Sequence, residues 1–249
     1  MATVDRPGSD GAELSRRLPG RRYDHFFFST MAFLILATAV TGFAPSYYFA
    51  GLVRAPLPSA TIHVHGAVFS CWLLLLITQT ALVSAGRVAV HRRLGIAGFA
   101  LACLMVVVGV LAATDALVRG VGRDPLAFYM LSIVDVVIFP TLVFFAFRAR
   151  FNPPAHKRFI LVATIALMPA AITRLPFPVV HRKPPAAYLA SYIFLLLLVI
   201  YDLWSIRKIH RATLWAGGFL VFMHEISGPI ARTAAWHSFA GWVRTLAYR

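Results

Sequence analysis

Seven long apolar runs, separated by short basic segments, leave this sequence few folds to choose from. They cover residues 26–48, 61–84, 94–118, 126–147, 159–180, 187–204 and 214–230. A spanning helix needs about 20 predominantly apolar residues, and in hydrocarbon every backbone N–H and C=O must be bonded within the segment. The pattern predicts an all-α polytopic membrane bundle of about seven transmembrane helices with short loops. Composition points the same way. The chain is 59% hydrophobic and only 13% charged, with a mean hydropathy of +0.75. A soluble domain carries about 25% charged residues, so this chain has too little polar surface to cover a water-soluble globule.

The formal charge of +15 does not imply a nucleic-acid partner, because the basic residues fall between apolar runs and do not form one patch. They act as topology signals. With the N-terminus inside, the cytoplasmic segments hold 15 Lys and Arg and the opposite side holds 9. That bias predicts a cytoplasmic N-terminus and a C-terminus outside. Residues 1–22 read as a polar cytoplasmic tail, 23–232 as the transmembrane domain, and 233–249 as an interfacial tail. In the last, Trp236, Phe239, Trp242 and Leu246 recur at helical spacing. No cleavable signal peptide is expected, since the first apolar run is too long for one. Cys71 and Cys103 lie inside apolar runs and read as small core residues.

A His-basic pair opens three of the odd-numbered spans: His91-Arg92-Arg93, His156-Lys157-Arg158 and His210-Arg211. Helix N-termini carry positive dipole ends and unpaired N–H groups, so these three are candidates to hold the anionic head groups of cytoplasmic-side lipids.

Ionisable groups inside spans are costly and are functional suspects by default. Asp135 lies roughly 14 Å into the fourth span, at 1.5 Å per residue. Arg174 falls in the outer half of the fifth, between Pro169 and Pro176. An Asp135–Arg174 pair is the economical expectation, serving either as a structural clamp or as part of a pocket. Asp202, near the inner end of the sixth span, is expected to meet Arg207 or Lys208. His63 and His65 open the second span, and His224 and Glu225 sit in the seventh. His65 is favoured over His63 to face the bundle, because Phe69 and Trp72 follow it on the same helical face. His65 and His224 are candidate ligands of a haem b. His63, His65, His224 and Glu225 are the alternative, a metal site. No soluble zinc spacing, diiron-type His cluster or deep lysine in the seventh span is present. Small residues are expected at helix contacts: Gly95, Gly98 and Ala102 in the third span, and Gly217, Gly218 and Ser227 in the seventh.

Residues 57–66 followed by Trp72, then Gly86-Arg87 with His91-Arg92-Arg93-Leu94-Gly95, then His156-Lys157-Arg158 carry a resemblance. The chain, from about Arg22 onward, resembles a family of uncharacterised multi-pass bacterial inner-membrane proteins. That resemblance implies an inner-membrane location and no particular activity. The His-Arg-Arg-Leu-Gly loop is also similar to b-type cytochrome and haem-handling membrane families, whose ligand histidines lie inside spans. Three functions remain open at this point. They are an accessory subunit or partner in a larger membrane complex, a haem b-binding redox protein, and a protein that binds or transports a lipid or small ligand. Whether the chain is an enzyme is left open.

Overall fold

The computed structural model describes residues 23–52 and 59–247. The expected polar tail at 1–22, the segment 53–58 containing Arg54, and the last two residues lie outside the described residues. The elements are α1 (Asp24–Phe43), a π-helical turn (Ala44–Tyr48), α2 (Ala60–Ser84), α3 (Val88–Val118), α4 (Pro125–Arg148), α5 (Pro153–Ile165), α6 (Met168–Ile172), α7 (Pro184–Ile206), α8 (Arg211–Ala231) and α9 (Ala234–Ala247). No strand occurs among the described residues.

Local chemistry sets the helix starts. Pro stands in the first turn of α4, α5 and α7, where its missing N–H costs nothing. Side-chain caps satisfy other orphan donors. Asp124 Oδ1 accepts from Leu126 N at 3.1 Å and Ala127 N at 3.0 Å, and His210 Nδ1 accepts from Ala212 N at 3.0 Å.

Six elements are long and apolar enough to cross a membrane: α1 with its π turn, α2, α3, α4, α5 with α6, and α7. The chain is therefore an all-α polytopic membrane protein. The seventh apolar run forms α8, 21 residues long, which is not among those six. Its inward face carries Thr213, Ala216, Gly217, His224 and Ser227 against α4 and α5. That face meets protein and not lipid, which lowers the mean apolarity of the helix.

The fifth run, expected over 159–180, is helical from Pro153 and ends at Ile172. It breaks at Ala166 and Leu167, where Leu167 N bonds Thr164 O at 3.1 Å. Pro169 has no N–H to offer the carbonyl of Ile165. Beyond Ile172 the chain runs through turns past Pro176 and Pro178 until α7 begins.

The α5–α6 unit is the centre of the bundle, with α1, α4, α7 and α8 packed around it. Leu161, Val162, Ala163, Ile165 and Ala166 are fully enclosed there. Small residues permit the closest approaches. A Cβ on Gly42 would stand 2.3 Å from the carbonyl oxygen of Ala171, so α1 can lie on α6 only with glycine at that position. Gly98 and Gly217 likewise admit Leu75 and Leu195, whereas Gly218 faces open space and is not a contact residue. Cys71 and Cys103 are exposed, free thiols on the outer surface of the bundle, and not core residues as expected. Phe33, Leu74, Ile96, Leu111 and Leu189 belong to the same exposed apolar skin.

Helix α9 lies across the ends of α3 and α4. Trp236 stacks on Tyr129 at 5.9 Å and donates its indole N–H to the carbonyl of Leu126 at 2.7 Å. Phe239, Trp242 and Leu246 remain exposed.

Candidate functional site

At the end of the bundle where α3, α5 and α8 begin, two basic residues, Lys157 and Arg158, are committed to carboxylates, while Arg87, Arg92, Arg93, Arg207, Lys208 and Arg211 are exposed. Arg158 is only 2% exposed and its Nε donates to Asp202 Oδ1 at 2.9 Å, with a second contact from Nη2. The other carboxylate oxygen of Asp202 accepts from His210 N at 3.0 Å and Thr213 Oγ1 at 2.5 Å. Asp202 therefore meets Arg158, and not Arg207 or Lys208, because α7 directs it inward to the seam of α5 and α8. Lys157 pairs with Asp24 at 2.6 Å and lies 4.6 Å over the Phe28 ring. The His156 Nδ1 contacts Ala146 O at 2.9 Å, and its ring stands 6.3 Å from that of His91. Of the expected head-group residues, Arg92, Arg93 and Arg211 are exposed, while Arg158 and Lys157 are occupied by carboxylates. The three helix starts do converge, since α5 touches α3 through the His91–His156 rings and α8 through Asp202. Burial and the guanidinium of Arg158 push the His210 imidazole below its usual range.

The opposite end, where α2, α4 and α7 begin, holds a cavity of about 570 Å³. Its mouth is bounded by Tyr48, Ser59, Arg119, Val121 and Pro184. Its walls are Phe69, Leu73, Met105, Phe139 and Met168, and its polar groups include His65, Asp135, Arg174 and Tyr188. A concave apolar space with a few converging polar groups is the usual form of a small-molecule site, within the range of about 300–1,000 Å³. Gly66 lets the Tyr47 ring pack against α2, because a Cβ there would meet that ring at 2.5 Å. The ring of His65 stacks on Phe69 at 4.1 Å, and its Nδ1 is buried without a hydrogen-bond partner among the described residues. His63 is exposed beside Tyr47.

Asp135 and Arg174 both line this cavity, but the structure does not bring them within ion-pair distance. The ion partner of Asp135 is His224, with Nε2 to Oδ1 at 3.5 Å. Arg174 donates from Nη1 to the carbonyl of Ala170 and rests 4.6 Å over the Phe43 ring. The backbone turn after Ile172 carries Arg174 toward α1, whereas Asp135 faces α8.

His224 is fully buried, stacked on Tyr188 at 4.0 Å, with Nδ1 3.3 Å from the Tyr192 hydroxyl. The Tyr192 hydroxyl also faces Glu225, which lies on the exposed side of α8. His65 and His224 do not line one site: His65 lines the cavity, while His224 is walled in by two tyrosines, its Nδ1 facing the Tyr192 hydroxyl and its Nε2 3.5 Å from Asp135 Oδ1 without a hydrogen bond. The metal set does not assemble either, since among the described residues no group of three or more His, Cys, Asp or Glu side chains is placed to hold an ion.

Sequence reasoning missed Tyr188 and Tyr192. Their spacing of four residues with Pro184 and Pro185 ahead was visible, but nothing in it indicates which helix they face. No protein-family model, curated protein or solved structure matches this chain.

Proposed function

We propose that this integral membrane protein binds a small, largely apolar ligand, such as a lipid or other amphiphile, in the cavity between α1, α2, α3, α4 and α6. The observation that carries this reading is the cavity of about 570 Å³, whose walls are largely aromatic and aliphatic and also carry His65, Ser132, Asp135 and Arg174. The 15-to-9 basic bias supports an N-terminus in the cytoplasm, with the cavity mouth on the outer side of a bacterial inner membrane.

The test is to purify the protein and a Ser132→Phe variant, which fills the cavity from α4, and to analyse co-purifying molecules by mass spectrometry. The expected result is an amphiphile carried by the wild type and lost from the variant. Equal content in both proteins overturns the reading.

A second reading, an accessory subunit of a larger complex, draws on Glu225. A carboxylate on the outward face of α8, beside exposed Phe222, is costly in lipid and is relieved by a partner helix. Cross-linking from Glu225→Cys in native membranes to a second polypeptide supports it; cross-links to lipid alone do not.

A further inference from the structure

We propose that the ligand of this cavity carries a compact anionic head, a carboxylate or phosphate, held by Arg174 with His65. This deepens the cavity-binding reading and rests on it. The first support is the charge balance of the described residues. Asp24, Asp115, Asp124, Asp135 and Asp202 pair with Lys157, Arg119, His237, His224 and Arg158. The sixth carboxylate, Glu225, faces Tyr192 on the outside of α8. None of the six described carboxylates lies within 4.0 Å of Arg174.

The second support is geometric. A guanidinium has five N–H donors in a planar fork. Among the described residues Arg174 spends one, on the Ala170 carbonyl, while the Phe43 ring supports one face of the group. The fork lines the cavity with its remaining donors available. Planar double donation of this kind matches a carboxylate or phosphate.

His65 is the third support. It lines the same cavity, and its Nδ1 is buried with no hydrogen-bond partner among the described residues. A buried polar atom left unpaired costs free energy that a ligand oxygen or hydroxyl would recover. Each of the other charged groups on the described cavity wall stands beside a partner. Arg119 is neutralised by Asp115 at 2.7 Å, and Asp135 stands against His224. Among the described cavity-wall groups, Arg174 is thus a cation with no carboxylate within 4.0 Å, while Phe69, Leu73 and Phe139 provide an apolar compartment for the tail.

The test uses the full-length protein in phosphatidylcholine nanodiscs, with dodecanoate, dodecyl phosphate and uncharged dodecanol as probes, and empty nanodiscs as the partition control. Calorimetry is expected to show at least one anionic probe binding about tenfold more tightly than dodecanol. Which of the two does so assigns the head group as carboxylate or phosphate. Arg174→Gln should erase that preference, and His65→Gln should reduce it. Should Arg174→Gln not fold, the wild-type preference and the His65→Gln result decide the matter. Equal binding of all three probes by the wild type, abolished in Ser132→Phe, overturns the anionic head but leaves the cavity reading standing. No probe binding above empty nanodiscs, or binding unchanged in Ser132→Phe, overturns both.

Discussion

His224 Nε2 on α8 stands 3.5 Å from Asp135 Oδ1 on α4, joining a fully buried imidazole to a carboxylate on the cavity wall. Tyr188 stacks on the imidazole and Tyr192 reaches its other nitrogen, so three helices meet at one polar node. Groups that share such a node should not act independently. His224→Ala and Asp135→Ala should each lower the melting temperature in detergent. The double variant should lose less than the sum of the two, by about 0.5–3 kcal/mol of coupling. Asp135→Ala combined with Arg174→Ala should be additive, since those two residues do not meet. Thermal unfolding of all five variants distinguishes the pairs.

The contact between α1 and α6 sets a second expectation. Gly42→Ala places a methyl 2.3 Å from a backbone oxygen that cannot rotate away. It should destabilise the protein by about 1–3 kcal/mol, the usual range for overpacking. Gly218→Ala meets nothing within 4 Å and should leave the melting temperature unchanged. A neutral Gly42→Ala would mean that α1 and α6 are further apart than described.

The Arg158–Asp202 pair is buried on both sides and fully hydrogen-bonded. Removing one member strands the other. Asp202→Ala should therefore cost about 3–5 kcal/mol, and Arg158→Met/Asp202→Leu should recover most of that loss. Arg207→Ala and Lys208→Ala, which remove exposed cations, should be near neutral. Denaturation in mixed micelles measures the series.

His210 caps α8 with an acceptor nitrogen, which requires a neutral ring. Its folded-state pKa is lowered by burial first, and then by Arg158, with Lys157 and Lys208 adding to the effect and Asp202 opposing it. The unfolded state then binds the proton more readily. Stability from this group is present above an unfolded pKa of about 6.5 and falls as pH drops below it. His210→Asn keeps a capping acceptor without the titration. The fall in melting temperature between about pH 7 and pH 5 should be shallower in that variant than in wild type. Parallel slopes would remove His210 from the pH response.

Much of the fold was legible because the bilayer imposes a length and a polarity on each helix. The starts of α2, α4 and α7 follow from Ser59, Asp124 and the Pro184-Pro185 pair, all local signals. The break and early end of the fifth span accompany Pro169, Pro176 and Pro178, and the helix runs from Pro153 to Ile172 where the sequence suggests 159–180. Side-chain partners were less accessible. Asp202 was assigned to its sequence neighbours, and Cys71 to the core. A helix that is apolar all round does not mark which of its faces meets protein and which meets lipid.

The cavity residues divide along the same line. That His65, Asp135, Arg174 and His224 are unusual could be read one residue at a time, because each places a polar group in an expensive medium. Which of them touch could not. Asp135 and Arg174 are 39 positions apart and Asp135 and His224 are 89, and no local rule ranks one pairing above the other. From the sequence follow the all-α membrane architecture and the rough place of each apolar helix, since backbone hydrogen bonding in hydrocarbon is a local demand. Only the packed structure shows that α8 turns His224 toward α4, that Arg174 has no carboxylate within 4.0 Å among the described residues, and that Arg174 and Asp135 line one cavity. Helix rotation and neighbour order depend on packing summed over the whole bundle.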